Sequence, residues 1–258
     1  PFMINEGAPY RGKGTDNRPV AALLTTVQIP PESSCTISIV LGQADNMKQA
    51  AATARKYRDP GQAYAALSAT RKWWAQFIGK LKIESGHVET DRYADWLKYQ
   101  TLAERIWARR GFYQASGAYG FRDQLQDCVN LVWVDPLIAR SQIVLHASQQ
   151  FIEGDVVHWF HRLQDGRTGF AARTYASDNL LWLAWAAVEY VEMTGDTSIL
   201  DEGAPYLAAE QPLAPLPAGK HGMGFIPLRS SRTDSVYRHC VRAVNLVLKR
   251  RMGAHGLP

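Results

Sequence analysis

Several features that would each place a protein in a class are scarce in this 258-residue chain. Cysteine is one: Cys35, Cys128 and Cys240 stand far apart and in no metal-ligand spacing. Neither a disulfide framework nor a structural zinc site is expected from them, and a reducing, cytoplasmic compartment fits. Long apolar runs are also missing, since the longest, residues 180–188, is about half of what a membrane-spanning helix needs. The opening segment PFMINEGAPYRGKGTDNRP is polar and lacks the charged-then-apolar order of a signal peptide, so no membrane crossing is expected. Charge of one sign is scarce too. The 29 basic and 24 acidic residues, net +5, are spread along the chain, and the longest basic run is the triplet Lys249-Arg250-Arg251. Three cations before a glycine complement a helix C-terminus, so no nucleic-acid partner is expected.

What is present is a core. At 46% apolar residues the chain can build one large domain or two smaller ones. Residues 19–42 contain two β-rich runs around a Pro-Pro-Glu-Ser-Ser turn, and Thr36-Ile37-Ser38-Ile39-Val40 alternates polar with apolar, which predicts a hairpin. From Asp45 the period becomes helical, with a break at Pro60-Gly61. Amphipathic or apolar helices are predicted near 91–113, 121–133, 135–150, 178–194 and 233–252. Asp135-Pro136 and Ser177-Asp178 read as N-terminal caps. The Pro- and Gly-rich residues 200–231 read as a long irregular connection. The fold class is therefore mainly α with a β portion, the helices forming an array or toroid.

Three polar clusters interrupt the apolar pattern. In GAYGFRDQLQD, Asp123 in a first helical turn complements the helix dipole, but Arg122 there opposes it. Gln124, Gln126 and Asp127 add donors and acceptors; a solvated helix start and a polar ligand site both fit. In QFIEGDVVHWFH, His158 and His161 could share a helix face, but no Glu-x-x-His or cysteine accompanies them, so no metal is expected. Trp159 between imidazoles and carboxylates suits a sugar-binding cleft. In ARTYASDNLLWL, Asp178 precedes Leu180, Leu181 and Trp182. Desolvation there could raise its pKa as a general acid requires, whereas its commoner use is as a cap.

Together and in order, WLKYQTLAERIWARRGFYQASGAYGFRDQLQD, EGDVVHWFH, RTYASDNLLWL, TGDTSILDEGAPYL and GAHGLP resemble the glycoside phosphorylases of family 94, the cellobiose and chitobiose phosphorylase group. Within that group the chain resembles the C-terminal phosphorylase-like domain of cyclic β-1,2-glucan synthases. The resemblance implies the end of a β-sandwich over residues 1–44, linker helices over 45–86, and the first part of an (α/α)6 barrel over 87–258. It implies inverting phosphorolysis of a β-glucosidic bond, with no cofactor and with inorganic phosphate as co-substrate. One carboxylic acid then suffices, because phosphate replaces the base-activated water of an inverting hydrolase. On the same resemblance Asp178 is the general acid. Arg109, Arg122, Asp123, Gln126, Asp127, His158, Trp159 and Arg173 are the sugar-binding set. The expected partners are a β-glucan or β-glucoside oligosaccharide and phosphate. A homodimer, and membership of a larger synthase on the cytoplasmic side of an inner membrane, extend that expectation.

Two departures qualify the likeness. The family pattern has a second Asp where this chain has Asn179, and it continues with Gly-Asp-Trp-Asn-Asp after the Gly-Ala-His-Gly-Leu-Pro at which this chain stops. The chain by itself is therefore expected to be incomplete as a catalyst. Two alternatives stay open: a helical-barrel hydrolase, with Asp127 or Glu153 as the second carboxylate, and a catalytically silent carbohydrate-binding fragment.

Overall fold

The computed structural model describes residues 4–5, 8–9, 26–109, 117–174, 176–209, 213, 223–250 and 255–256. They fall into two compact units, residues 1–72 and 73–258.

In the first unit, β1 (Ile4–Asn5) and β2 (Ala8–Pro9) pair antiparallel. Helix α1 (Met47–Tyr57) starts where the Asn46 side chain accepts a hydrogen bond from the Gln49 amide, the capping use of asparagine. Helix α2 (Pro60–Gly79) begins in this unit with proline at its first position and ends in the second unit. The predicted hairpin is not formed by its described part. Residues 26–44 contain no strand, and Ile39 and Leu41 are 87% and 98% exposed. Alternation alone does not hold a strand; ladder hydrogen bonds to a neighbour do, and this segment has none among the described residues. The first run, residues 19–25, lies outside them.

The second unit is mostly helical. Helix α3 (Val88–Gln100) passes into a π-helical segment, Thr101–Trp107. Lys98 bridges it to the end of α2, donating to the carbonyls of Ile78 (2.9 Å) and Leu81. A two-residue strand, β3 (Tyr119–Gly120), leads straight into α4 (Phe121–Val129). Helix α5 (Pro136–Ala147) carries the predicted Asp135 cap and Pro136. A hairpin of β4 (Trp159–Arg162) and β5 (Thr168–Arg173) precedes α6 (Leu181–Thr194), which ends at left-handed Gly195. Then come β6 (Gly203–Ala208), β7 (Met223–Phe225), β8 (Leu228–Ser235) and α7 (Val236–Arg250).

Helices α4, α5, α6 and α7 pack on one another around Phe121, Leu125, Ile143, Leu183, Ile199 and Val236. Strands β3-β4-β5-β7 form one antiparallel sheet, and β6 pairs with β8. A second, smaller core of Phe151, Val157, Phe160, Ala171 and Leu207 lies at the sheet.

Three further expectations are corrected. Residues 200–231 are not irregular throughout: β6, β7 and the start of β8 lie there, because Tyr206, Ala204 and Leu207 have a core to enter. The described members of that stretch exclude 210–212 and 214–222. His158 and His161 sit before and within a strand, so they share no helix face. Asp178 does not cap α6, whose N-cap is Leu180; its carboxylate is engaged elsewhere. The described part of the chain holds no cluster of metal-ligating side chains and no helix long and apolar enough to cross a membrane. Most of the GAHGLP segment and Arg251 lie outside the described residues.

Gly154 is a fold constraint that no helix or strand pattern reveals. Its φ is +99°, and a Cβ there would stand 2.7 Å from the Arg242 carbonyl oxygen of α7. Gly154→Ala should therefore lower unfolding stability by about 2 kcal/mol or more in urea titration. Gly195→Ala, at φ +70° with open space around it, should cost only about 1 kcal/mol. Equal losses would show that the approach to Arg242 is not what requires glycine.

Candidate functional site

Helix α4 is attached to the sheet at its first residue. Gly120 pairs with Trp159 across β3 and β4, and the Phe121 amide donates to the His158 carbonyl at 2.9 Å. One of the helix's orphan N–H groups is thereby satisfied without a side-chain cap, and Arg122 and Asp123 are held beside His158. From the other side, the turn before α6 brings in Asp178. The Arg122 Nη1 to Asp178 Oδ2 distance is 2.8 Å, and Trp182 Nε1, one helical turn on, donates to the same oxygen at 3.1 Å. The side chains of this ion pair remain 42% and 46% exposed, so a ligand can reach both.

The electrostatics tie the three clusters together. Burial raises the Asp178 carboxyl, but the Trp182 hydrogen bond and then Arg122 outweigh it, so the pKa lies below the ordinary carboxylate value. That is opposite in sign to the desolvated, proton-holding carboxyl anticipated from its apolar neighbours. Burial likewise lowers His158, opposed by Asp123, reinforced by Arg122 and opposed by Asp178. The imidazole is therefore neutral near pH 7, with Nδ1 2.8 Å from the Thr174 hydroxyl.

The remaining expected residues make their contacts with other partners than Arg122 and Asp178. Arg109 closes the π-helical segment in a left-handed conformation, φ +50°. Its guanidinium donates to the carbonyls of Gly117 (2.7 Å) and Trp107 (2.9 Å) and rests on the Tyr119 ring, 4.5 Å from the centroid. Gln126 is exposed on α4. Asp127 faces the π-helical segment, where Arg105 Nε pairs with it at 2.7 Å; burial raises its pKa in spite of Arg105. Trp159 packs against His161 and Phe170, on the strand face opposite buried Phe160. Arg173 is 5% exposed and ion-paired with Asp155 inside the fold. Asn179 also points inward, donating to the Val157 carbonyl at 3.3 Å with 4% exposure, while Glu153 is exposed.

Trp182, Thr174 and Arg105 carry polar contacts of the site that the sequence reading missed. Trp182 had a readable signal, its spacing of four from Asp178, but an indole in an apolar helix reads as core. Arg105 and Thr174 had none.

The glycosyl hydrolase 94 superfamily catalytic domain matches residues 73–258, and the glycosyl hydrolase 94 supersandwich domain matches residues 1–60. Cyclic beta-(1,2)-glucan synthase NdvB of Rhizobium meliloti (strain 1021) is 37% identical across 100% of this chain, which covers 9% of that protein. N,N'-diacetylchitobiose phosphorylase of Vibrio furnissii is 25% identical over 58% of this chain and 22% of its own length. 3-O-beta-D-glucopyranosyl-beta-D-glucuronide phosphorylase of Paenibacillus borealis is 21% identical over 100% of this chain and 30% of its own. The chain thus spans less than a third of each of these relatives.

A carboxyl whose pKa is depressed by folding contributes stability above its unfolded value, about 3.9, and loses it as pH falls through the lower folded value. Carbon-13 NMR titration of Asp178 should place its midpoint below the ordinary value. In Arg122→Ala the midpoint should rise. An unmoved midpoint would remove Arg122 from the account of this carboxylate.

Proposed function

The chain belongs to the glycosyl hydrolase 94 superfamily, and from that membership we propose that it carries the sugar-holding part of a glycoside phosphorylase site acting on a β-linked glucan. The observation that carries this reading is the exposed Arg122–Asp178 pair, backed by Trp182 and flanked by Asp123 and His158. A planar cation and an ionised carboxylate offer donors and acceptors side by side, which suits the alternating hydroxyls of one sugar ring. The helices of the second unit are, on this reading, a portion of an (α/α)6 barrel. Because the chain covers so little of its relatives, we assign sugar holding to it and turnover to the whole protein.

The reaction is a displacement at the anomeric carbon. A carboxylic acid protonates the glycosidic oxygen, that C–O bond breaks, and a phosphate oxygen bonds to the opposite face, giving a sugar 1-phosphate of inverted configuration. For Asp178 to be the acid, the incoming sugar has to take over the guanidinium hydrogen bonds of Arg122. Removing that cation from the carboxylate raises the pKa. Without that exchange Asp178 serves as an acceptor for sugar hydroxyls. β-1,2-Linked glucan is the substrate proposed, from the likeness to the glucan synthase.

The test uses β-1,2-glucan oligosaccharides with the full-length protein that contains this chain, following sugar 1-phosphate. Release should depend on added phosphate, and Arg122→Ala should weaken glucan binding about tenfold or more, the scale of a lost charge-assisted hydrogen bond. Asp178→Asn should lower kcat if Asp178 is the acid and raise KM alone if it only binds. Phosphate-independent release of reducing sugar would overturn phosphorolysis in favour of hydrolysis.

A further inference from the structure

A second concavity lies in the same unit, beside α5. It occupies about 550 Å³ between α5, the β4–β5 turn and the β6–β8 pair, within the usual size of small-molecule sites. None of the residues in the Arg122–Asp178 group lines it.

Its chemistry is uneven in an informative way. Three arginines line it, Arg162, Arg167 and Arg229, against one acid, Asp165. That acid is already committed: Asp165 pairs with Arg167 at 2.6 Å across the β4–β5 turn. Arg162 and Arg229 have no acidic partner among the described residues. The Arg162 guanidinium lies 3.5 Å from where a Cβ on Gly166 would stand, and both residues line the cavity. The floor is polar and ordered. Gln149, only 4% exposed, accepts from the Thr168 hydroxyl at 2.7 Å and donates to the Ser148 hydroxyl at 2.9 Å. Its amide has a second N–H to offer. Leu145, Leu207 and Pro227 supply an apolar wall.

We propose that this cavity is a binding site for a phosphorylated hexose. Two guanidiniums free of carboxylate partners match a phosphate group, which arginine grips bidentately. The second N–H of Gln149 can donate to a sugar hydroxyl. The Ser148 and Thr168 oxygens, whose own protons go to the Leu145 carbonyl and Gln149, can accept from others, and the apolar wall matches the C–H face of the ring. A bare anion would leave the floor and wall unused, and a neutral sugar would leave the two cations unused.

The experiment is calorimetric titration of this chain with glucose 6-phosphate, glucose and inorganic phosphate in parallel. Glucose 6-phosphate should bind about tenfold or more tightly than either control, with an affinity that falls as salt rises. The double variant Arg162→Gln/Arg229→Gln should lose about tenfold or more, with a thermal melt confirming that it is folded. Arg122→Ala, in the other site, should bind glucose 6-phosphate like the unaltered chain; that result separates this proposal from the phosphorylase reading. The proposal is overturned by the absence of saturable binding, by phosphate or glucose binding the Arg122→Ala chain as tightly as glucose 6-phosphate does, or by an unaffected folded double variant. Should the double variant not fold, Arg229→Gln alone and the salt dependence of the unaltered chain decide: no weakening in either overturns the site.

Discussion

The hydrogen bond from the Phe121 amide to the His158 carbonyl ties the start of α4 to the sheet of the second unit. Without it, the first amide of α4 would be a buried donor with no partner. With it, the short β3–β4 ladder continues into the helix, and Phe121 drops into the core with no exposed surface. The residues next to Phe121 are thereby aimed away from the core, which puts Arg122 within reach of a carboxylate 56 positions later. The site is a by-product of a strand running into a helix with no loop between.

A buried ion pair fixes the other edge of the same junction. Arg173, at the end of β5, and Asp155, in the turn that precedes His158, have side chains 6% and 9% exposed. Desolvating such a pair is costly, and removing one partner would strand a charge. Its contribution is therefore positional: it holds the end of β5 to the turn that delivers Val157 and His158. Thr174, the next residue, then meets the His158 ring. Asn179 completes this frame by donating to the Val157 carbonyl. Its inward aim explains how an amide can stand in that place without leaving a gap in the exposed pair.

The helices were legible because each leaves a long periodic trace or an explicit signal, as the Asp135 cap and Pro136 do for α5. The strands of the second unit were not. Most are two to six residues long, too short for period two to show, and two of them lie in a stretch whose glycines and prolines suggest coil. The alternation at residues 36–40 led the other way, since pattern records which faces could be buried and not whether a neighbour exists. The candidate site residues were legible only as separate clusters. What could not be read was their meeting, because the Arg122–Asp178 contact is made by tertiary packing of α4 on α6. The same packing turned Asp178 from a cap into an ion-pair partner and reversed the sign of its expected pKa shift. Arg173 shows the converse: a lone arginine in a sugar-site motif reads as a ligand contact, and its buried partner eighteen residues away leaves no local trace.

Arg109 carries a consequence for anyone selecting improved variants of this protein. A left-handed backbone at a non-glycine residue is a standing cost, and glycine would relieve it. A library screened for heat resistance or yield would therefore be drawn to glycine at position 109, and would report it as a success. The same exchange would delete the guanidinium that rests on Tyr119 and braces Gly117, two residues ahead of the strand that feeds α4. Screens of this chain that read only stability would thus enrich for loss of this brace, so position 109 is one to hold fixed while the rest is varied.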